Sequence, residues 1–157
     1  MLKLYKSVVR PSLDYCGPAW RPHLRKDIDK LEKVQQRATR MIEECKGKGY
    51  EERLKIVGLT TLETRRERAD MLEVFKIMKG LEGLKERDFF VRDTNRGRGH
   101  SLKLYKKRVN LDIAKYSFGN RVCASWNKLS EEIVASQDIN EFKGRLDEYL
   151  GIMGGLK

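Results

Sequence analysis

The stretch HLRKDIDKLEKVQQRATRMIEECK, His23 to Lys46, carries Leu24, Ile28, Leu31, Gln35, Ala38, Ile42 and Cys45 at alternating spacings of four and three. Such spacing keeps one side chain per turn on the same side of a 3.6-residue helix, so the stretch predicts a long amphipathic helix with a single polar intruder, Gln35, in its apolar seam. Turned away from that seam, within an arc of about 80° at roughly 100° per residue, fall Lys26, Lys30, Lys33, Arg37 and Arg40. The stripe runs about 21 Å, enough to follow roughly six nucleotide steps of a duplex backbone. Charges opposite a seam often only keep a helix soluble. Here Glu44 alone joins the arc and Asp29 borders it, so few acids neutralise the bases from within the stripe.

The rest of the chain is consistent with helix. All three prolines, Pro11, Pro18 and Pro22, stand in the first 22 residues, which predicts a short helix at Leu2 to Val9 followed by an extended, turn-rich segment. Gly47 and Gly49 mark a break before a short helix that ends near Gly58, and Thr60 with Glu63 suggests a capping box for a helix closed by Gly80. Arg65, Arg66 and Arg68 open that helix among the acids Glu63, Glu67 and Asp70, a mixed cluster that fits phosphate contact poorly.

Toward the C-terminus, Phe118, Val122, Cys123 and Trp126 share one helical side. Ser130 suggests the cap of a short turn, and Asp138 that of a helix carrying Ile139, Phe142, Leu146 and Leu150. Between lies RGRGHSLKLYKKR, Arg96 to Arg108. Leu102 and Leu104 alternate on one parity and Val109, Leu111 and Ile113 on the other, which predicts a short β-hairpin near residues 101–113 with a basic turn. Arg96 and Arg98 stand beside adaptable glycines, while Lys103, Tyr105, Lys106, Lys107 and Arg108 place cations next to an aromatic ring, a combination suited to phosphate and a stacked base.

Charge follows this map. The 157 residues hold 34 Lys and Arg against 23 Asp and Glu, a formal charge of +11. Residues 21–55 contribute net +4 and 92–115 net +6, whereas 57–91 sum to zero. A polyanion is the expected partner, RNA and/or DNA in preference to a membrane, because no apolar run reaches spanning length. The absence of an apolar leader predicts an intracellular chain, nuclear or cytoplasmic. Cys16, Cys45 and Cys123 show no C-x-x-C spacing and read as reduced, buried thiols, and His23 and His100 have no ligand-spaced companions. Phosphate-loop, dinucleotide, hydrolase-elbow and zincin motifs are all missing, as is any Asp-Asp pair for magnesium. The sequence thus predicts no catalytic residue, no metal and no cofactor.

Five segments taken together point further. LYKSVVRPSLDYCGPAW (4–20), DIDKLEKVQQRATRMI (27–42), YEERLKIVGLTTLETRRERADMLEVFKIMKGL (50–81), RGRGHSLKL (96–104) and SFGNRVCASWNKLSEEIVASQDINEFKGRLDEYL (117–150) resemble, in the same order and with similar spacing, the region downstream of the polymerase palm in reverse transcriptases of jockey-like non-LTR retrotransposons, the LINEs. The family commonly reads Trp-Asn-x-Leu-Pro where this chain has Trp126, Asn127, Lys128, Leu129 and Ser130. The resemblance implies a mainly α fold: a thumb-like helical bundle over 1–92, then the basic loop, hairpin and C-terminal helical piece over 93–157. It also implies a non-catalytic fragment of an RNA-directed DNA polymerase, gripping template and primer or the element's RNA, with the palm as a further partner and the palm's paired aspartates upstream. The alternative is a helical protein-interaction module or an inactive element remnant, in which the Gln35 seam and the Phe118 and Trp126 face dock a partner.

Overall fold

A computed structural model describes residues 1–94 and 99–152. The fold is mainly α, as the periodicity predicts. By packing the chain divides into two compact units, Met1–Glu67 with Ile152, and Arg68–Gly151, the division falling inside one helix.

In the first unit the chain opens with α1 (Leu2–Leu4), a π-helical turn (Tyr5–Val9) and α2 (Arg10–Asp14). Helix therefore continues through Pro11, where an extended segment was expected. The wider turn, in which the Arg10 N–H donates to Tyr5 O, brings Pro11 in at the first turn of α2, where a missing N–H is harmless. Cys16, exposed and not buried as predicted, then adopts a left-handed φ of 54°.

The helix α3 spans Arg25–Arg40, five residues short of the last seam position, and gives way to a 3-10 turn at Glu43–Cys45. Two adjacent carboxylates oppose the negative end of a helix dipole but suit the start of a turn, so Glu43 and Glu44 favour the break. After α4 (Tyr50–Val57), Gly58 turns the chain at φ +62°, with the Leu59 N–H reaching back to Leu54 O at 2.9 Å, a Schellman closure. The core here is Tyr5, Cys45, Leu54, Val57 and Leu59, with Leu13, Ala38 and Ile42 against it.

The polar intruder is the centre of this unit. Gln35 is 0% exposed, its Oε1 accepts from the Tyr5 hydroxyl at 2.7 Å, and its Nε2 donates to Tyr50 Oη and Thr60 O, each at 2.9 Å. The Tyr50 hydroxyl donates to Glu32, whose other oxygen accepts the Leu62 N–H at 3.0 Å and so satisfies an orphan donor of the next helix. Burial, with Asp14 nearby for Tyr5 and the Glu32 bond for Tyr50, pushes both phenols well above their ordinary pKa.

That next helix, α5 (Leu62–Met78), is capped by Thr61, whose Oγ1 accepts from the Thr64 N–H at 3.1 Å; the expected cap, Thr60, is one residue off. Gly80 closes it at φ +67°. In the second unit α5 packs with α8 (Phe118–Trp126) and α10 (Ile139–Tyr149), joined by the short α6 (Glu86–Phe89), α7 (Asp112–Lys115) and α9 (Glu131–Val134). Phe75 and Phe142 stack at 4.2 Å, and Trp126 lies beside them, 0% exposed. Two ion pairs tie the helices: Arg121 holds Asp70 through both oxygens at 2.9 and 3.1 Å, and Arg68 holds Asp147 likewise. Asp138 caps α10 as predicted, accepting from the Asn140 and Glu141 N–H groups, which draws its pKa below the usual range. Ser130 occupies the cap position of α9 without a side-chain bond.

The β-hairpin over 101–113 is not there. Among the described residues the one β-type pairing is an antiparallel bridge of Leu104 with Arg92, flanked by Asp93 N–H to Lys103 O at 2.9 Å and Tyr105 N–H to Val91 O at 2.7 Å. On its other edge, the Leu104 N–H donates to Asn127 Oδ1 at 2.9 Å while Asn127 Nδ2 donates to Leu104 O at 2.8 Å, so a side-chain carboxamide stands where a second strand would. Trp126 Nε1 donates to Leu102 O at 2.7 Å beside it. With both edges taken, residues 109–113 have nothing to pair with, and Leu111 and Ile113 are exposed, Ile113 to 84%.

Candidate nucleic-acid interface

The buried hub fixes which side of α3 faces outward. Gln35 and Thr39 are fully buried, and Lys26, Lys30, Lys33, Arg37 and Arg40, on the opposite side, are all exposed. Lys30 pairs with Asp27 at 3.3 Å across open solvent, worth little. Among the described residues Lys26, Lys33, Arg37 and Arg40 make no ion pair. Asp29, which borders the row, is engaged by Arg25 at 3.0 Å. The result is a solvent-facing row of one sign, the arrangement that exchanges counterions for phosphates.

The second basic stretch belongs to the other unit. Arg96 and Arg98 lie outside the described residues. From His100 the backbone is anchored. His100 Nδ1 accepts the Leu102 N–H at 3.1 Å, leaving Nε2 to donate to Trp126 O at 3.0 Å, and the Ser101 N–H and hydroxyl both bond Glu131, whose pKa they lower. Leu104 is buried, Lys103 is half-buried, and Tyr105, Lys106, Lys107 and Arg108 are exposed. Alternation thus places Tyr105 opposite the core as predicted, on a bridge to Arg92 instead of a hairpin.

Arg65, Arg66 and Arg68 are each taken up by a partner within their own unit, and Arg66 is buried. Arg65 pairs with Asp14; Arg66, 3% exposed, donates to Leu13 O at 2.8 Å and lies over the Trp20 ring; Arg68 holds Asp147. Burial lowers the Arg66 pKa. Gln35 and Trp126, suggested as docking positions, are likewise taken up inside their own units.

Sequence reasoning missed a cavity of about 160 Å³ in the second unit, bounded by Phe89, Val91, Tyr105, Lys107, Gly119 and Asn120. Asn120 occurs in the sequence as an ordinary helix residue, and only the fold shows it inside. Among the described residues no helix is long and apolar enough to cross a membrane. No protein-family model, curated protein or solved structure matches the chain.

Proposed function

We propose that this chain is a non-catalytic nucleic-acid-gripping module, equivalent to the thumb and downstream region of a jockey-like non-LTR retrotransposon reverse transcriptase, with RNA or DNA as its ligand and the polymerase palm as a further partner. One observation carries the reading: the α3 face of Lys26, Lys30, Lys33, Arg37 and Arg40, exposed and nearly free of acid partners, opposite a helix side pinned by Gln35. Lys106, Lys107 and Arg108 supply a second set of exposed cations. The sequence resemblance supports the same assignment independently of charge.

Five neutralised phosphates on a duplex give a log-log salt slope of about 4.5, so affinity falls roughly 500-fold between about 50 and 200 mM salt. The test is a salt series with labelled duplex and single-stranded RNA and DNA, on the native chain and on a variant carrying Lys30→Glu, Lys33→Glu and Arg37→Glu. The reading expects steep salt dependence and loss of binding on reversal; absence of binding at low salt, or binding indifferent to the reversal, overturns it.

A further inference from the structure

We propose that the outer edge of the chain at Arg92 takes up an extended, acidic peptide segment of a partner protein, added as a further antiparallel strand. The bonds flanking the bridge of Arg92 with Leu104 come from the residues on either side, Asp93 N–H to Lys103 O and Tyr105 N–H to Val91 O. Arg92 and Leu104 therefore face each other as a pair that exchanges no bond, and the N–H and C=O of each point away from the other. Those of Leu104 are met by Asn127. Those of Arg92, an exposed residue, are met by nothing among the described residues; its guanidinium alone is engaged, by Glu86 at 2.6 and 2.8 Å.

An outward donor and acceptor on one residue are the template for another main chain, which exchanges both bonds with a single residue of an antiparallel strand. A phosphodiester matches them poorly, because it accepts from the N–H but sets its charge against the C=O. A second copy of this chain fits no better, since pairing about a two-fold axis at this residue would oppose Arg92 to Arg92. Side chains narrow the partner. The residue opposite Arg92 lays its side chain on the face that Arg92 shares with Phe90, over an open depression lined by Lys85, Glu86, Arg87, Phe90 and Arg92. There Glu86 is already held by Arg92, whereas Lys85 and Arg87 are exposed and make no ion pair among the described residues. Two open cations call for a carboxylate at that position. Its neighbours on either side fall on the other face, beside Val91, 44% exposed, and call for apolar side chains.

The probe is a peptide blocked at both ends, Thr-Val-Glu-Val-Thr, titrated into the ¹⁵N-labelled chain. It is expected to shift the Val91, Arg92 and Asp93 amides and to slow exchange of the Arg92 amide with solvent. N-methylation of its Glu nitrogen leaves the protein untouched, removes the donor to Arg92 O, and should weaken binding about tenfold. Lysine in place of that glutamate should weaken it about fivefold, and Lys85→Glu with Arg87→Glu should reverse the preference. Arg92→Ala keeps the main chain and should bind within about twofold of the native chain. Arg92→Pro, tolerated on an edge whose N–H the fold does not use, should bind about tenfold more weakly. The triple reversal on α3 should change none of this, so the edge and the grip stand or fall separately. Silence at Arg92, or equal affinity for the methylated or the lysine peptide, overturns the proposal. An RNA strand that shifts the Arg92 amide where the peptide does not overturns it in favour of a phosphate contact.

Discussion

Replacing Asn127 by alanine removes the carboxamide that takes the place of a strand. Leu104 is 1% exposed, and its N–H and C=O are both satisfied by Asn127, at 2.9 and 2.8 Å, while the backbone groups of Lys103 and Tyr105 already serve Asp93 and Val91. Both Leu104 groups would lose their partner at once. At about 1–3 kcal/mol for each unsatisfied buried group, tempered by some water entry, the cost comes to about 2–4 kcal/mol. For a unit of this size that lowers Tm by about 10–25 °C. The assay is urea unfolding followed by the fluorescence of buried Trp126, with Trp20→Phe as background. Asn127→Asp gives a sharper version. The carboxylate still accepts from the Leu104 N–H but opposes Leu104 O, and its protonated form donates to that oxygen. The folded-state pKa is thus raised, so stability present at low pH is lost as pH rises through it. A cost below about 0.5 kcal/mol for Asn127→Ala, the scale of ordinary surface substitutions, would refute the reasoning.

The glycines give a contrast. Gly119→Ala should cost about 1–3 kcal/mol, because its Cβ meets the backbone oxygen of Phe89 at 2.5 Å, whereas Gly58→Ala has open space and should cost about 1–2 kcal/mol from its φ of +62° alone. Chemical denaturation reads both, and a neutral Gly119→Ala would sink the close-approach argument. Tyr5 and Tyr50 should resist ionisation: of six tyrosines, these two are expected to titrate only with unfolding, seen as phenolate absorbance. Because their folded pKa values are raised, their contribution is complete below about pH 10 and lost above it. Six tyrosines ionising together in the folded chain would contradict the burial of the hub.

The helices were legible from period alone in α3, from period and cap together in α10 behind Asp138, and in α5 up to its closing Gly80. The row of cations on α3 was legible too, since it follows from period alone. What escaped was long-range pairing. Leu102 and Leu104 do alternate, but nothing local says that the partners of Leu104 are Arg92, twelve residues back, and Asn127, twenty-three ahead. A proline normally ends a helix, and the π turn before Pro11 is a tertiary accommodation anchored by Tyr5. Arg66 and Arg68 showed in the sequence only as members of a mixed charge cluster, because their acceptors, Leu13 O and Asp147, are distant in sequence. Asn120 illustrates the same limit: a polar helix residue carries no local sign that its side chain lines a cavity.

Gln35 has a bearing on recognition that its burial alone does not suggest. An apolar seam tolerates a helix rolling by a fraction of a turn, since one methyl group replaces another at little cost, but an amide bonded to Tyr5, Tyr50 and Thr60 from three separate segments accepts one angle only. It acts as an index pin for α3. Each residue of slip would swing the outer row by about 100° and point Lys33 or Arg37 at the chain's own surface. The heading of five cations is therefore set by an uncharged residue that touches none of them, so under the proposed nucleic-acid reading selection on that row would act on the inside of the protein as much as on its outer face.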